Sequence, residues 1–321
     1  MSSTKVIVFG PTGAVGSSVA RTASSLGASV TLAMRDPSKP IPGLSASVTS
    51  TNRVPADLTK PETVLSAVKS SGAKHAFMYL MHGATDGMRG TVEALKAGGV
   101  ELVVFLSSFS LAAAASLEEL RAIPEADVIG WAHAQVEISL FEVFGREGYV
   151  AARPGSFASN TLGFAGGVRD GTVRAWQPQA RIDAVASEDV GKVCGSVLVK
   201  GVPADGQRLI TILGPECMTL EQALRRIAAK LGRQITIKAA TEEEARKLMV
   251  EEQGIPAGPT VDLMIRQGYL AVKSSTEEDM LNIMGWPAPR EALMSVERYA
   301  GVKAKTLEEW VEDTRAEWEG V

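Results

Sequence analysis

The chain has 321 residues, 45% of them apolar and 22% charged, with a formal net charge of −4; that is ordinary for one large or two small globular domains with a buried core. Lys and Arg are scattered among acids, which argues against direct nucleic-acid binding, and no apolar run approaches the roughly 20 residues that span a bilayer. The two cysteines, Cys194 and Cys217, and the three histidines fall in no metal-ligand spacing, so neither a disulfide framework nor a metal site is expected.

In chain order, KVIVF (5–9) reads as a buried strand, followed by a glycine-rich turn and a small-residue helix ending near Gly27. The strand starts so early that no signal peptide is expected, and a cytoplasmic protein follows. ASVTLAM (28–34) is a second strand, and ASVTSTNRV (46–54) a weaker third. PETVLSAVKSSG (61–72) predicts a helix with Pro61 in its first turn, HAFMYLM (75–81) a fourth strand, and GMRGTVEALKAGG (87–99) a helix. LVVFLSS (102–108) is a fifth strand, 131–145 a helix, and YVAARP (149–154) a sixth strand. RLITIL (208–213) and QITIKAA (234–240) are further strands flanking a helix over 219–232. Beyond them the pattern predicts helices over 241–254, 259–272, 276–285 and 306–320.

Apolar strands alternating with helices predict an α/β fold: a doubly wound parallel Rossmann sheet with helices on both faces. A smaller, mostly helical C-terminal part caps it. The expected core is 1–155, with 181–213 returning to it; 156–180 and 214–321 form the substrate-capping part.

GPTGAVG (10–16) lies between the first strand and the first helix, the context that makes a glycine pattern informative. Gly10 permits the tight turn, Gly13 admits a pyrophosphate and Gly16 lets the helix approach the sheet. Thr12, Ala14 and Val15 offer backbone N–H groups at a helix N-terminus. Arg35 stands at the tip of the second strand, with Lys39 in the same loop, which favours NADP over NAD and NADPH over NADH. Asp36 would argue the other way if it held the tip. Asp57, beside Leu58, either receives an adenine amino group or caps the following helix. Ligands of such folds sit beyond the C-terminal strand ends, which places Tyr79, Leu80, Met81, His82, Ser107, Ser108, Pro154, Gly155 and Ser156 beside the cofactor.

GPTGAVG with Arg35 resembles the NmrA-like branch of the atypical short-chain dehydrogenase/reductases. LVVFLSS, YVAARPGSFASNTLGFAGGVRDG (149–171), RIDAVASEDVGKVC (181–194), ILGPECMTLEQALRRIAAKLGR (212–233) and KTLEEW (305–310) resemble further segments of that family. The resemblance implies either an NADPH-dependent reductase of quinones, dyes or other carbonyl and ene substrates, or a dinucleotide-binding regulator. A non-redox isomerase using the same pocket is a third class. A small-molecule substrate and a monomer or homodimer are expected.

Catalytic short-chain dehydrogenases carry a Tyr, and a Lys four residues later, on one helix. In the family pattern the Lys precedes a Glu by four residues. Here IGWAHAQVE (129–137) sets Glu137 at that acid, His133 at the Lys position and Ile129 at the Tyr position. Three readings of His133 compete: a hydrogen bond to the nicotinamide ribose, a general acid, or a helix residue paired with Glu137. Ser107 matches the family's Ser and is a second catalytic candidate, or simply satisfies backbone groups. For the substrate, Asn160 either orients a carbonyl or closes a turn. Trp131, Phe157, Phe164 and Trp176 offer an aromatic wall or ordinary core, and Met249, Met264, Met280 and Met284 an adaptable surface.

Overall fold

The computed structural model describes residues 3–44, 52–81, 83–84, 86–273 and 280–320. Strands β1 (Lys5–Phe9), β2 (Ser29–Met34), β3 (Arg53–Pro55), β4 (His75–Tyr79), β5 (Leu102–Leu106) and β6 (Tyr149–Pro154) come from the first half of the chain. After β7 (Thr172–Ala175) and β8 (Arg181–Ile182), β9 (Leu209–Ile212) returns to the large sheet. Its order is β3-β2-β1-β4-β5-β6-β9, parallel throughout. The order reverses between β1 and β4, where doubly wound folds open a crevice beyond the strand ends.

Both faces of the sheet are covered, so its strands are apolar on both sides. Val6, Val8, Leu32, Val104 and Val150 pack beneath α1 (Ala14–Ser25) and, later in the chain, the helix Ser187–Lys200. Ile7, Phe9, Met78, Val103 and Phe105 face the other layer: α2 (Pro61–Ser71), α3 (Arg89–Gly98) and, past the short α4 (Leu117–Arg121), α5 (Val128–Phe144). Each fully buried Val, Ile, Leu or Phe contributes about 1.5–3 kcal/mol of transfer free energy. Helix α5 starts earlier than its apolar spacing predicts, because the Asp127 side chain accepts from Gly130 N at 3.1 Å and caps it.

After β9 the chain adds β10 (Met218–Thr219), which pairs with β8, and β11 (Thr236–Ala239), which pairs with β7. The strand predicted at 234–240 therefore exists but joins a separate two-stranded sheet. Helices Glu242–Glu251 and Pro259–Lys273 follow as predicted.

Two expectations fail. The helix predicted over 276–285 is, in its described part, the hairpin β12 (Met280–Ile283) and β13 (Trp286–Pro289). Met284 (φ 50°) and Gly285 (φ 90°) both adopt left-handed backbone, as a two-residue type I′ turn requires. The single helix expected over 306–320 is two, Leu307–Asp313 and Arg315–Glu319. Between them the Thr314 hydroxyl donates to Trp310 O at 2.8 Å, a back-bond that bends helices. Of the third predicted strand, 52–54 is described and the strand observed there is Arg53–Pro55; 46–51 lies outside the described residues. Among the described residues no helix is long and apolar enough to cross a membrane, and no His, Cys, Asp and Glu cluster has a metal-holding arrangement.

Candidate functional site at the sheet edge

The three glycines of the first loop answer to three different neighbours. Gly10 has φ +67°, and a Cβ there would lie 2.5 Å from Cε1 of Tyr79. A Cβ on Gly16 would lie 2.2 Å from Gly10 O, a backbone atom that cannot swing away. Gly13 is different: its φ is −83°, and a Cβ would meet nothing nearer than Gly10 O at 3.6 Å. The fold therefore demands glycine at 10 and 16 but not at 13. Gly13 is the N-cap of α1 and has no side-chain cap, while Thr12, Gly13 and Ala14 are exposed. Ser17 N donates to Gly13 O at 2.9 Å, so the N–H groups of Ala14, Val15 and Gly16 are the ones the first turn leaves without intrahelical acceptors. A Cβ-free, outward-facing helix N-terminus fits a phosphate group.

At the tip of β2, Arg35 and Lys39 are exposed. The Asp36 carboxylate instead accepts from Ser38 N (3.0 Å) and Ser38 Oγ (2.6 Å), bonds that hold its carboxyl below the usual range and tie it to its own turn. Arg53 donates to Pro37 O at 2.6 Å and Lys39 O at 2.7 Å, pinning this loop. Nothing in the sequence reading singled Arg53 out. Asp57 accepts from the backbone N–H and hydroxyl of Thr59 at 2.9 and 2.8 Å, which lower its pKa first; Lys60 and Arg35 add to the effect. It thus caps a local turn, while the N-cap of α2 is Lys60. Leu58 is buried, and its carbonyl accepts from the Thr91 hydroxyl at 2.6 Å. Burial raises the phenol of Tyr79, with Arg35 opposing. Leu80 and Met81 are half-buried; His82 lies outside the described residues.

Beyond β5, the Ser107 hydroxyl donates to Glu137 Oε1 at 2.5 Å. Arg153 donates to both oxygens of the same carboxylate, Nε to Oε1 at 3.1 Å and Nη2 to Oε2 at 2.7 Å. Its Nη1 donates to Leu111 O (2.6 Å) and Ala114 O (2.7 Å). The three side chains are 4%, 0% and 2% exposed in the order Ser107, Glu137, Arg153. Ser107 is thus held inside a buried charge-paired cluster, and Glu137 is the carboxylate of that cluster. One turn earlier on α5, half-buried His133 places Nδ1 2.8 Å from Ile129 O. A carbonyl only accepts, so Nδ1 carries a proton. The ring lies 6.2 Å from that of Phe105, tilted by 42°.

The turn after β6 is built on a residue the sequence did not single out. Asp183, 1% exposed, accepts from Ser156 N at 2.7 Å and Gly214 N at 2.9 Å. A Cβ on Gly155 would lie 2.5 Å from its carboxylate oxygens. Burial pushes this carboxyl up to about 6 against the two backbone donors. Gly155 N donates to Ile212 O at 2.9 Å, and Pro154, the last residue of β6, is buried.

Ser156 opens into a cavity of ≈ 420 Å³ whose walls are mainly apolar. Asn160, Phe164, Trp176, Met249, Met264 and Met284 line it, together with Arg174, Leu248 and Gln253, which sequence reasoning missed. Trp131 and Phe157 are not among the lining residues; Phe157 packs instead on the sheet face beneath α1. The Trp176 ring meets Tyr269 edge-on at 5.1 Å. Its volume is within the range of small-molecule sites.

A nitrogen metabolite regulation-like protein, bik4, of Gibberella fujikuroi is 37% identical over 201 residues, 61% of either chain. A (4-alkanoyl-5-oxo-2,5-dihydrofuran-3-yl)methyl phosphate reductase of Streptomyces griseus is 28% identical over 137 residues, 42% of this chain and 48% of the relative. The matches thus span under two thirds of these curated relatives. Among solved structures, an NADPH-dependent quinone oxidoreductase from Escherichia coli complexed with NADPH has a TM-score of 0.70 at 18% identity, over 97% of this chain and 99% of that one. NmrA, a negative transcriptional regulator, in complex with NADP, has a TM-score of 0.68 at 16% identity, over 99% and 98% of the two chains. These likenesses show a shared fold. Residues 2–311 match the model of the NmrA-like family, and the chain belongs to that family.

Proposed function

We propose that this chain is an NADPH-dependent oxidoreductase that reduces a small apolar carbonyl, quinone or enone. One observation carries the reading: a mainly apolar cavity of ≈ 420 Å³ reaches the C-terminal edge of the sheet at Ser156, the edge that also carries the glycine loop. The loop fits a dinucleotide, since Gly13 is a glycine that no neighbour within the protein requires. The backbone of Gly10, Thr12, Gly13, Ala14, Val15 and Gly16 would hold the pyrophosphate, with Arg35 and Lys39 meeting a 2′-phosphate. Asp57 and Leu58 would border the adenine. Tyr79, Leu80, Met81, His82, Ser107, His133, Pro154, Gly155 and Ser156 would border the rest of the cofactor. When bound, NADPH supplies a hydride.

The chain's own residues supply position and protons. Ser107, as a donor to Glu137, fixes the end of β5 and is a positioning residue in this reading. With Nδ1–H directed at Ile129 O, proton exchange by His133 runs through Nε2. Asn160 and Phe164 on the cavity wall would orient and cover the substrate, and 156–180 with 214–321 form most of that wall. The E. coli quinone oxidoreductase, of like fold, supports the substrate class.

Ile129 and His133, at the positions where the family pattern carries Tyr and Lys, favour a second reading: a non-catalytic NADP(H) sensor. The regulation-like relative supports it. The test is NADPH oxidation with a panel of quinones and enones. Turnover of at least one is expected. Tight NADPH binding without turnover of any member would overturn the oxidoreductase reading in favour of the sensor.

A further inference from the structure

A second cleft, of ≈ 560 Å³, shares no lining residue with the apolar cavity. It lies between α4, Phe141 of α5, and the neighbouring strands β6 and β9. Along β6, Tyr149 and Arg153 alternate with Val150 and Ala152, which pack on the opposite face, so both side chains leave the sheet toward this cleft.

Three guanidinium groups line it: Arg146, Arg153 and Arg208. Two are matched by carboxylates, Arg153 by Glu137 and Arg208 by Glu147. Arg146 is exposed and has no ion-pair partner among the described residues. The cleft therefore carries one positive charge in excess. Tyr149 is 5% exposed, and its hydroxyl makes no hydrogen bond among the described residues. Among the described residues, the fully buried side-chain atoms without a hydrogen-bond partner include Arg53 Nε, Trp176 Nε1 and Trp318 Nε1. The Tyr149 hydroxyl is not one of them, so the little surface this residue keeps includes its hydroxyl, and the cleft is where it meets solvent. Burial raises that phenol first, the Glu137 carboxylate adds to the rise, and Arg153, Arg146 and Arg208 oppose it. Leu117, Leu120 and Leu209 give the cleft an apolar wall.

We propose that this cleft binds a small organic monoanion with an apolar body, a carboxylate above all. Arg146 supplies the unmatched charge, the Tyr149 hydroxyl donates to a carboxylate oxygen, and the leucines cover the body. The site is independent of the dinucleotide loop and of the apolar cavity.

The test is isothermal titration of the full chain with 2-naphthoate and with neutral 2-naphthamide. One naphthoate per chain is expected, bound at least about tenfold tighter than the amide. Arg146→Gln should weaken naphthoate about tenfold, and Tyr149→Phe, which keeps the ring packing, about fivefold; neither should change naphthamide. No naphthoate binding at millimolar concentration, or equal affinity for acid and amide, would overturn the proposal. So would a loss of naphthoate binding in Arg174→Gln, in the other cavity, without a loss in Arg146→Gln.

Discussion

Replacing Gly13 with alanine separates what the fold needs from what a ligand needs. The native backbone at 13, φ −83° and ψ 162°, is open to any L-residue. The added methyl would touch only Gly10 O, at 3.6 Å, an ordinary contact. Two small stability effects oppose one another. Alanine is a poorer N-cap than glycine by up to about 1 kcal/mol, and it lowers unfolded-state entropy, which returns about 0.4–1 kcal/mol. The melting temperature should therefore move by less than about 3 °C. Binding should respond differently if a pyrophosphate approaches the backbone at Gly13, where a methyl would stand in its way. Loss of one charge-assisted hydrogen bond to a phosphate costs about 1.5–3 kcal/mol, roughly 10- to 150-fold in Kd. Gly16→Ala is the contrast: its methyl would sit 2.2 Å from a backbone oxygen, so stability and affinity should fall together. Thermal unfolding and NADPH fluorescence titration on the two variants decide the matter. Gly13→Ala with native melting and NADPH affinity within twofold of native would refute the pyrophosphate assignment.

Arg35→Ala should weaken NADPH by about 10- to 100-fold, the loss of a charged contact, while NADH changes by less than about twofold; equal native affinities for the two cofactors would sink the assignment. His133→Ala should weaken NADPH about tenfold, with His133→Lys restoring it, whereas unchanged affinity and a kcat lowered by about 10²–10⁴ would mark a proton donor instead. For Asp183, burial raises the folded pKa from 3.8 to about 6, so between these values the folded chain binds more protons than the unfolded one. Its contribution to stability then falls as pH rises from about 4 to about 6, by at most roughly 3 kcal/mol; urea unfolding of native and Asp183→Asn protein across that window should show the native chain losing this difference, and parallel curves would refute it.

The parallel sheet was legible because its central strands are apolar enough to be buried on both faces, and most are punctuated by Gly or Pro; the edge strand β3 is only half-buried to exposed and was the weakest to read. The glycine loop was legible because its role is local. Part of what escaped has its partner distant in sequence. Asp183 serves Ser156 and Gly214, 27 and 31 residues away; the one local hint was that two separate segments carry glycines where this acid packs. Arg53 was hidden in a weak strand, and its acceptors are carbonyls, which leave no trace in residue type. The hairpin at 280–289 was misread because its turn is Met284-Gly285, and Met lacks the polar side chain that usually betrays left-handed backbone. The substitution of His for Lys at 133 was visible, but the commitment of Glu137 to Arg153 and Ser107 was not, since Arg153 looked like part of a strand.

That commitment bears on how the edge of the sheet does its work. Glu137 is centred on α5 and Arg153 is near the end of β6, so their pair locks helix to strand within one turn of His133 and two residues of Gly155. Deleting one partner of such a buried pair costs about 3–5 kcal/mol, because it strands the other charge. The Ser156 end of the same turn is held separately by Asp183. Two independent buried carboxylates thus fix α5 to β6 and hold the Ser156 turn, which lines the apolar cavity. Neither is placed to give up a proton there: one is salt-bridged, and the other accepts from two backbone N–H groups. Tyr79 is raised by burial, which makes it a weaker acid, and Ser107 holds its proton toward Glu137. In the oxidoreductase reading, what remains at the edge among the described residues is rigid placement and the imidazole of His133. Acceleration would then come mainly from orientation, and the substrates best served are those whose reduced form is stable with little help from an acid. A quinone, whose reduction by hydride yields an aromatic hydroquinone monoanion that needs only one further proton from water, meets that condition better than a simple ketone. Comparing kcat for a quinone and an unconjugated ketone in His133→Gln protein distinguishes them: the quinone should lose far less.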